Sequence, residues 1–295
     1  MKKIKVINGI TIYQNLLDDA DIICEYLRKT TQYKEPKHSM NVWNEWAGNW
    51  HGLATQANGI QFKPIIGNDE DAVSQRHMFS NILKAYKYAY LDFMNEYSNN
   101  FKWPNYIKTM NLEDERWCES GVSFLKYNDK QQENLSRDTW DIAMNYHTDT
   151  NSYDNESPGT KIVITVTMYL NDSYEGGEIS FYDGEAQKVY DYKPKAGDVT
   201  VFPGFEPYYH GVLPFNGDDR YLLRMFFMYD HPGDEEWLNN ENKFGKEKWA
   251  EMEHERLENL WKVGANLRSL VIEGKTKDKP PFNPIYAKED PIRIN

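Results

Sequence analysis

Residues 161–171, KIVITVTMYLN, are the stretch that decides the fold. β-Branched and aromatic side chains fill this run without glycine or proline, which is typical of a buried β-strand. Runs of the same texture flank it, separated by Gly, Asn, Asp and Pro: GVSFLKY (121–127), EISFYDG (178–184), KVYDYKPKAGDVTVFPG (188–204) and RYLLRMFFMYD (220–230). Short strands at this spacing, with few helical segments between them, argue against a βαβ architecture and favour a jelly roll.

Helices are predicted on both sides of this β region. Residues 18–29 and 71–98 carry apolar side chains at 3.6-residue spacing, and residues 234–272 are charged with one apolar side. The last stretch, 274–295, is rich in Lys and Pro and is expected to run extended over the surface. The sequence therefore predicts a mainly β protein with flanking helices (α+β), in which helices from both ends wrap one β core.

Two segments near the N-terminus have different expected structures. KIKVINGITIY, residues 3–13, predicts two short strands around an Asn-Gly turn. Residues 36–70 are expected to form a loop packed by its own aromatic side chains, because Trp43, Trp46 and Trp50 occur there among Gly and Asn.

The composition narrows the class of function. The 34 Lys and Arg against 46 Asp and Glu give a formal net charge of −12. Such a surface repels phosphate backbones and anionic lipids, so neither a nucleic acid nor a membrane is an expected partner. Cys24 and Cys118 are too few for a disulfide framework and are expected to be reduced thiols. Without an apolar leader or membrane span, a cytoplasmic protein is expected.

The segment MNYHTDTNSY, residues 144–153, holds a histidine and an aspartate two positions apart. Residues i and i+2 of an extended segment point to one face, so His147 and Asp149 would present an imidazole and a carboxylate together. Alone, this pair could equally be part of a polar surface turn. His210, which follows a strand and a Pro-Gly turn, is the natural third ligand. Two histidines and one carboxylate leave coordination positions open, which suits non-heme Fe(II) oxygenases.

Two arginines follow His210 on one predicted strand face. Arg220 comes ten residues after it, at the head of a strong strand, and Arg224 comes four residues later. An arginine that points into a jelly-roll interior is costly unless an anion pairs with it, and a carboxylate bound bidentately is a fitting partner. A rim arginine paired with surface acids is the alternative. Strand alternation leaves open which of the two arginines binds the anion.

The order of motifs resembles the prolyl 4-hydroxylase branch of the 2-oxoglutarate/Fe(II)-dependent dioxygenases. The motifs cover residues 120–230 and are, in order, Tyr127, His147-Thr148-Asp149, Tyr169-Leu170-Asn171, Gly176-Gly177-Glu178, Pro194 to Phe202, His210-Gly211-Val212-Leu213-Pro214 and Gly217 to Arg220. Seven ordered motifs are far more specific than any one of them. The resemblance implies a double-stranded β-helix (jelly roll, cupin-like) core with Fe(II), 2-oxoglutarate and O2, and ascorbate as the reductant.

The resemblance also implies roles for individual residues. His147, Asp149 and His210 would bind Fe(II), and Arg220 would pair with the distal carboxylate of 2-oxoglutarate. Tyr127 and Tyr169 match positions at which such enzymes direct tyrosines toward the cosubstrate, although both could be core tyrosines with satisfied hydroxyls. Gly176-Gly177-Glu178 would be a turn and the start of a strand. Thr148, between two ligands and facing away, is the residue whose identity should matter least.

Two departures from the family pattern stand out. The stretch from Tyr127 to His147 is longer than in the compact family version. The insertion, residues 129–143, is expected to form a loop over the site. Arg224 occupies a position that often holds a smaller polar residue, so contacts to the cosubstrate would differ in detail.

The implied organisation is a dioxygenase domain of residues 1–230, with helical support from 1–120 and the jelly roll in 121–230. Residues 231–295 are expected to pack on this domain as a helix and an extended tail.

The implied reaction is hydroxylation of a C–H bond with release of succinate and CO2. Retention of the Asp149 carboxylate favours hydroxylation, since halogenating relatives replace it with a small residue. A prolyl residue in a peptide or protein is the expected substrate, and a free amino acid or other small molecule is the alternative. The nucleic-acid repair branch fits less well, because it places its arginine further from the last histidine and favours a basic surface. A non-catalytic cupin-type module that binds a metal or carboxylate is the rival from another class.

Overall fold

The computed structural model describes residues 1–7, 9–33, 41–45, 54–62, 68–99, 101–128, 143–150, 157–183, 188–256 and 292–295. Its strands are β1 (Lys2–Ile7), β2 (Ile10–Gln14), β3 (Thr31–Tyr33), β4 (Asn41–Glu45), β5 (Ala54–Ala57), β6 (Trp117–Glu119), β7 (Ser123–Tyr127), β8 (Met144–His147), β9 (Gly159–Tyr169), β10 (Glu175–Gly176), β11 (Ile179–Asp183), β12 (Lys188–Tyr192), β13 (Val199–Pro203), β14 (Tyr208–Val212), β15 (Phe215–Asn216), β16 (Arg220–His231) and β17 (Ile292–Ile294). Its helices are α1 (Ala20–Thr30), α2 (Glu70–Tyr97), α3 (Glu235–Phe244) and α4 (246–256). None of these helices is long and apolar enough to cross a membrane.

The strands form two main sheets. The large sheet has the order β1-β2-β13-β9-β16-β7-β5-β4-β3, with β6 also paired to β16, and the small sheet has the order β17-β12-β11-β14-β8. All pairings are antiparallel except β3 with β4 and β12 with β17. An apolar cluster that includes Leu125, Phe181 and Phe202 brings side chains of both sheets together. The predicted fold class is confirmed: a mainly β jelly roll with flanking helices.

Helix α2 supports the large sheet from its outer side. Its predicted stripe is buried and packs on β9 and β13. Tyr90 stacks on Phe227 with ring centroids 4.5 Å apart, and the Tyr86 hydroxyl donates to the Phe226 carbonyl at 3.0 Å. Asp69 begins the helix by accepting a hydrogen bond from the Ala72 amide. The outer face of β9 and β16 is therefore closed, and their inner face is left for the site.

The expected loop at residues 36–70 is wrong for the described part of that range. Strands β4 and β5 extend the large sheet there, with Ala54 opposite Tyr127. Trp43 is buried and lies 4.8 Å from the Phe124 ring rather than in an aromatic cluster of its own segment. The physical reason is that β7 has a second edge whose amides and carbonyls need partners, and β5 supplies them. Trp46 and Trp50 lie outside the described residues.

The predictions for the N-terminal hairpin, the cysteines and the C-terminal helical segment agree with the described residues, whereas the predicted extended tail lies outside them except for residues 292–295. Strands β1 and β2 form the hairpin predicted for residues 3–13, and Cys24 and Cys118 are free thiols. Helices α3 and α4 lie in the charged segment that was predicted to be helical. In the tail, residues 292–294 form an edge strand beside β12. The loop expected at 129–143 falls outside the described residues except for Ala143.

Candidate active site

Alternate residues of the strands line a pocket between the two sheets. The lining consists of Leu125 and Tyr127 of β7, Met144 and His147 of β8, Thr165, Thr167 and Tyr169 of β9, Ile179 of β11, Phe202 of β13, His210 and Val212 of β14, and Arg220, Leu222 and Arg224 of β16. The two-residue period of a strand sends every second side chain to the same face. For this reason Arg220 and Arg224 both face the pocket, as the sequence predicted.

His147, Asp149 and His210 meet at one end of this pocket. The two histidines lie directly opposite each other on β8 and β14, with ring centroids 4.4 Å apart. Asp149 reaches the same point from the turn after β8, with its carboxylate oxygens 3.8 Å from His147 Nε2 and 3.7 Å from His210 Nε2. All three potential ligand atoms lie within 4.8 Å of one another, and no second cluster of this kind occurs among the described residues.

The charge state of this cluster suits a divalent metal. Burial alone would raise the pKa of the Asp149 carboxyl, but His210, His147, Arg224 and a hydrogen bond from the Thr165 hydroxyl outweigh it and lower the pKa. Burial lowers the pKa of His210, which favours the neutral imidazole that a metal requires. Metal–ligand bonds of about 2.1 Å place neighbouring ligand atoms about 3 Å apart, so small movements would close the set around an ion.

Thr150 and Gly204 hold the turn that carries Asp149, and the sequence analysis missed both. The Thr150 amide donates to the Gly204 carbonyl at 2.6 Å, and its hydroxyl bonds both the carbonyl and the amide of Ile162 at 2.8 and 2.7 Å. A Cβ on Gly204 would lie 2.9 Å from the Ile162 carbonyl oxygen and 3.4 Å from the Asp149 Cβ. The repeated Thr in HTDT and the Pro-Gly after β13 were the available signals.

We expect Gly204→Ala to weaken metal binding about 10- to 100-fold, the usual cost of disturbing groups that orient metal ligands. The new methyl group would press on the Ile162 carbonyl, and the turn with Asp149 would have to move. Calorimetric titration with Mn(II), which accepts the same ligand types, measures the effect. Gly121→Ala is the matched control, because its Cβ would make only ordinary contacts of 3.4 Å or more. Equal affinity of the two variants would contradict the role of Gly204.

A hydrogen-bond chain on the outer face of the small sheet ties β8, the strand of His147, to β11 and β12. The Tyr146 and Ser180 hydroxyls are 2.6 Å apart, and the Ser180 hydroxyl donates to the Asp191 carboxylate. Ser180 lies opposite Gly211, so the tyrosine of β8 reaches β11 across a position that has no side chain. The glycine next to His210 thus has a structural explanation.

Arg220 lies at the other end of the pocket and is fully buried. Its guanidinium carbon is 5.1 Å from the Tyr127 ring centroid and 5.3 Å from that of Tyr169. Nε and Nη1 have no hydrogen-bond partner, and no carboxylate of the described residues pairs with the side chain. The Tyr169 hydroxyl lies 3.3 Å from Thr200 Oγ1, so the tyrosine ring is held in place beside the arginine. A buried cation with unused donors is costly unless an anion pairs with it.

Arg224 lies between the two ends. Its Nη2 donates to Gln56 Oε1 at 3.1 Å, a contact from β5 that the sequence did not reveal. Thr165, which binds Asp149, and Tyr169, which faces Arg220, are four residues apart on β9. Four residues of a strand span about 13 Å, which is therefore the approximate distance between the end of the pocket with the His147 cluster and the end with Arg220. A small dicarboxylate together with one side chain from each end can bridge this distance.

Residues 141–228 match the model of the 2OG-Fe(II) oxygenase superfamily. This segment contains every predicted site residue except Tyr127, and the resemblance to this superfamily seen in the sequence motifs is confirmed. Proteins of this superfamily use Fe(II), 2-oxoglutarate and O2, and His147, Asp149 and His210 could bind the iron. No curated protein matches the chain.

Several solved structures are similar to the chain. They include a viral collagen prolyl hydroxylase from Paramecium Bursaria Chlorella virus-1 with 2OG (16% identity, 75% of this chain and 96% of that chain, TM-score 0.45). A prolyl hydroxylase from Trichoplax adhaerens, in complex with a hypoxia inducible factor peptide fragment, has 17% identity over 76% and 84% of the chains (TM-score 0.44). A Pseudomonas putida prolyl-4-hydroxylase has 17% identity over 75% and 93% (TM-score 0.43).

Proposed function

We propose that this protein is an Fe(II)- and 2-oxoglutarate-dependent dioxygenase that hydroxylates a C–H bond and releases succinate and CO2. The observation that carries the proposal is the two-ended pocket. One end holds the His147, Asp149 and His210 ligand atoms, and the other holds the buried guanidinium of Arg220, whose Nε and Nη1 have no partner. A pocket that binds only a metal has no need of the second end.

The residues fit the groups that such a reaction requires. His147, Asp149 and His210 would hold the iron from one side and leave its other side open to the pocket. The bound iron and 2-oxoglutarate supply the oxidising chemistry. Arg220 binds the distal carboxylate through its free donors, while Tyr127 and Tyr169 fix the plane of its guanidinium. Apolar walls such as Leu125, Phe202 and Leu222 exclude water from the reacting centre.

The proposed substrate is a prolyl residue in a peptide or protein. The order of sequence motifs supports it, and the net charge of −12 favours a basic peptide over an acidic one. A free amino acid or other small molecule is the second candidate, since both fit a pocket of this kind. Ascorbate as the reductant and a cytoplasmic location remain predictions.

The direct test is a succinate-release screen with the purified protein, Fe(II), ascorbate and 2-oxoglutarate. We expect slow succinate formation without substrate and faster formation with the correct one, together with a product that has gained 16 Da, about the mass of one oxygen atom, in the rate-enhancing reaction. Prolyl peptides and free amino acids are the two arms of the screen. A protein that binds Fe(II) but forms no succinate with or without any substrate would instead be a cupin-type binding module.

A further inference from the structure

The Gly176-Gly177 pair makes room for the ring of Tyr174. Both glycines adopt left-handed conformations, with φ of +75° and +68°. A Cβ on Gly177 would lie 2.8 Å from Cε2 of Tyr174, and one on Gly176 would lie 2.5 Å from the Pro214 carbonyl oxygen. A side chain at position 177 would push the Tyr174 ring out of its place, and one at position 176 would strike the Pro214 backbone, so the pair allows the turn to close around that ring.

Lys193 contacts the same ring. Its Nζ lies 3.6 Å from the Tyr174 ring centroid, which is a close cation–π contact. The ammonium also donates to the backbone carbonyls of Tyr174, at 2.8 Å, and of Gly176. The lysine therefore holds both the ring and the backbone of the turn that carries it.

The Tyr174 hydroxyl is buried beside Arg220. The hydroxyl and the guanidinium interact directly, although neither the hydroxyl nor Nε and Nη1 of Arg220 has a hydrogen bond of ordinary geometry. Burial opposes the charge of Arg220, but the hydroxyls of Tyr174, Tyr169 and Tyr127 around the guanidinium raise its pKa above the ordinary value. Burial raises the pKa of Tyr174, so the phenol stays protonated and can donate. The Tyr174 phenol and the Nε and Nη1 donors of Arg220 thus lie together beside the arginine end of the pocket.

We propose that Tyr174 donates its hydroxyl to the carboxylate that Arg220 binds, and that Lys193 is the positioning residue that fixes Tyr174 for this contact. The inference rests on the proposed function, because it assigns a further contact to 2-oxoglutarate at the same site. It explains why the turn beside Arg220 contains two glycines in left-handed conformations and is contacted by the half-buried Lys193.

A pH dependence of 2-oxoglutarate binding follows from this arrangement. Burial lowers the pKa of Lys193 to about 8; Glu178, Asp172 and Glu175 favour its charged form, and Arg220 opposes it. Below this pKa the ammonium polarises the ring, strengthens the hydroxyl as a donor and adds positive charge near the anion. Binding should therefore be stronger below pH 8 and weaken as the pH rises through about 8.

The test is calorimetric measurement of 2-oxoglutarate binding to the Mn(II)-loaded protein between pH 7 and 9. Tyr174→Phe removes only the hydroxyl and should raise Kd about 10- to 100-fold, as expected for a lost hydrogen bond to a charged group. Lys193→Met should raise Kd several-fold at pH 7 and abolish the pH dependence. Lys193→Arg keeps a charge over the ring at every pH used, so its affinity should be nearly constant from pH 7 to 9.

Matched controls separate this inference from the proposed function. Tyr106 has a buried hydroxyl that also lacks a partner, but its ring packs beside His231 and not beside Arg220, so Tyr106→Phe should bind 2-oxoglutarate with wild-type affinity. Lys195→Met controls for loss of a neighbouring exposed lysine. Wild-type affinity in a folded Tyr174→Phe variant, or an unchanged pH profile in Lys193→Arg, would overturn the inference and leave the dioxygenase proposal standing. If the wild type binds Mn(II) but not 2-oxoglutarate, the proposed function itself is wrong.

Discussion

His210→Ala should abolish Fe(II) binding and succinate formation. His210 Nε2 faces the Asp149 carboxylate at 3.7 Å from the strand opposite His147, so its loss leaves two ligands of three. Loss of a group that only orients a metal ligand costs about 10- to 100-fold in affinity, and loss of a ligand itself should cost more than that. Anaerobic calorimetric titration with Fe(II) measures the affinity, and succinate release measures the activity.

The control for this variant is His77→Ala. His77 is an exposed histidine on α2 that contacts Asp19, so its loss should change neither metal binding nor succinate formation. Thermal unfolding checks that His210→Ala is folded. Loss of the buried imidazole could lower the midpoint of unfolding by a few degrees, about 4 °C at most for each kcal/mol of lost stability in a chain of this size. A folded His210→Ala protein that keeps wild-type iron affinity would rule out the proposed ligand set.

The β core could be predicted from the sequence because its strands are buried on both sides. Runs such as KIVITVTMYLN have a composition that few other structures tolerate, and β9 indeed lies between β13 and β16 at the centre of the large sheet. Part of the site followed from the same regularity. Once the strand at 220–230 was predicted, the two-residue period placed Arg220 and Arg224 on one face, and both line the pocket. His210 was predicted from its place after a strand and a Pro-Gly turn.

The parts that could not be predicted depend on contacts between distant segments. Strand β5, ATQA, has almost no strand propensity of its own and forms because the edge of β7 is open beside it. Thr150 and Gly204 are far apart in sequence, and only their pairing shows that they hold the Asp149 turn. Tyr174 was not singled out in the sequence, because nothing local indicates that its hydroxyl lies beside Arg220.

Arg220→Met should have opposite effects on stability and on cosubstrate binding. Without an anion, the buried guanidinium lacks partners for Nε and Nη1, and such unsatisfied groups cost about 1–3 kcal/mol each. A methionine of similar length should therefore raise the free energy of unfolding of the metal-free protein, as replacement of buried charges by apolar side chains often does. Denaturant unfolding without 2-oxoglutarate measures this gain.

The same variant should bind 2-oxoglutarate at least 30-fold more weakly, because loss of one partner of a buried, hydrogen-bonded charge pair costs about 2–5 kcal/mol. Arg224→Met is the matched comparison: Arg224 faces the same pocket but already donates to Gln56 through Nη2, so we expect a smaller loss of affinity and a smaller gain in stability. The reverse ranking of the two variants in calorimetric titrations with 2-oxoglutarate would assign the distal carboxylate to Arg224. A stabilising effect combined with weaker binding at Arg220 would show that the fold gives up stability to keep this cation for its ligand, which is the behaviour of a binding residue and not of a structural one.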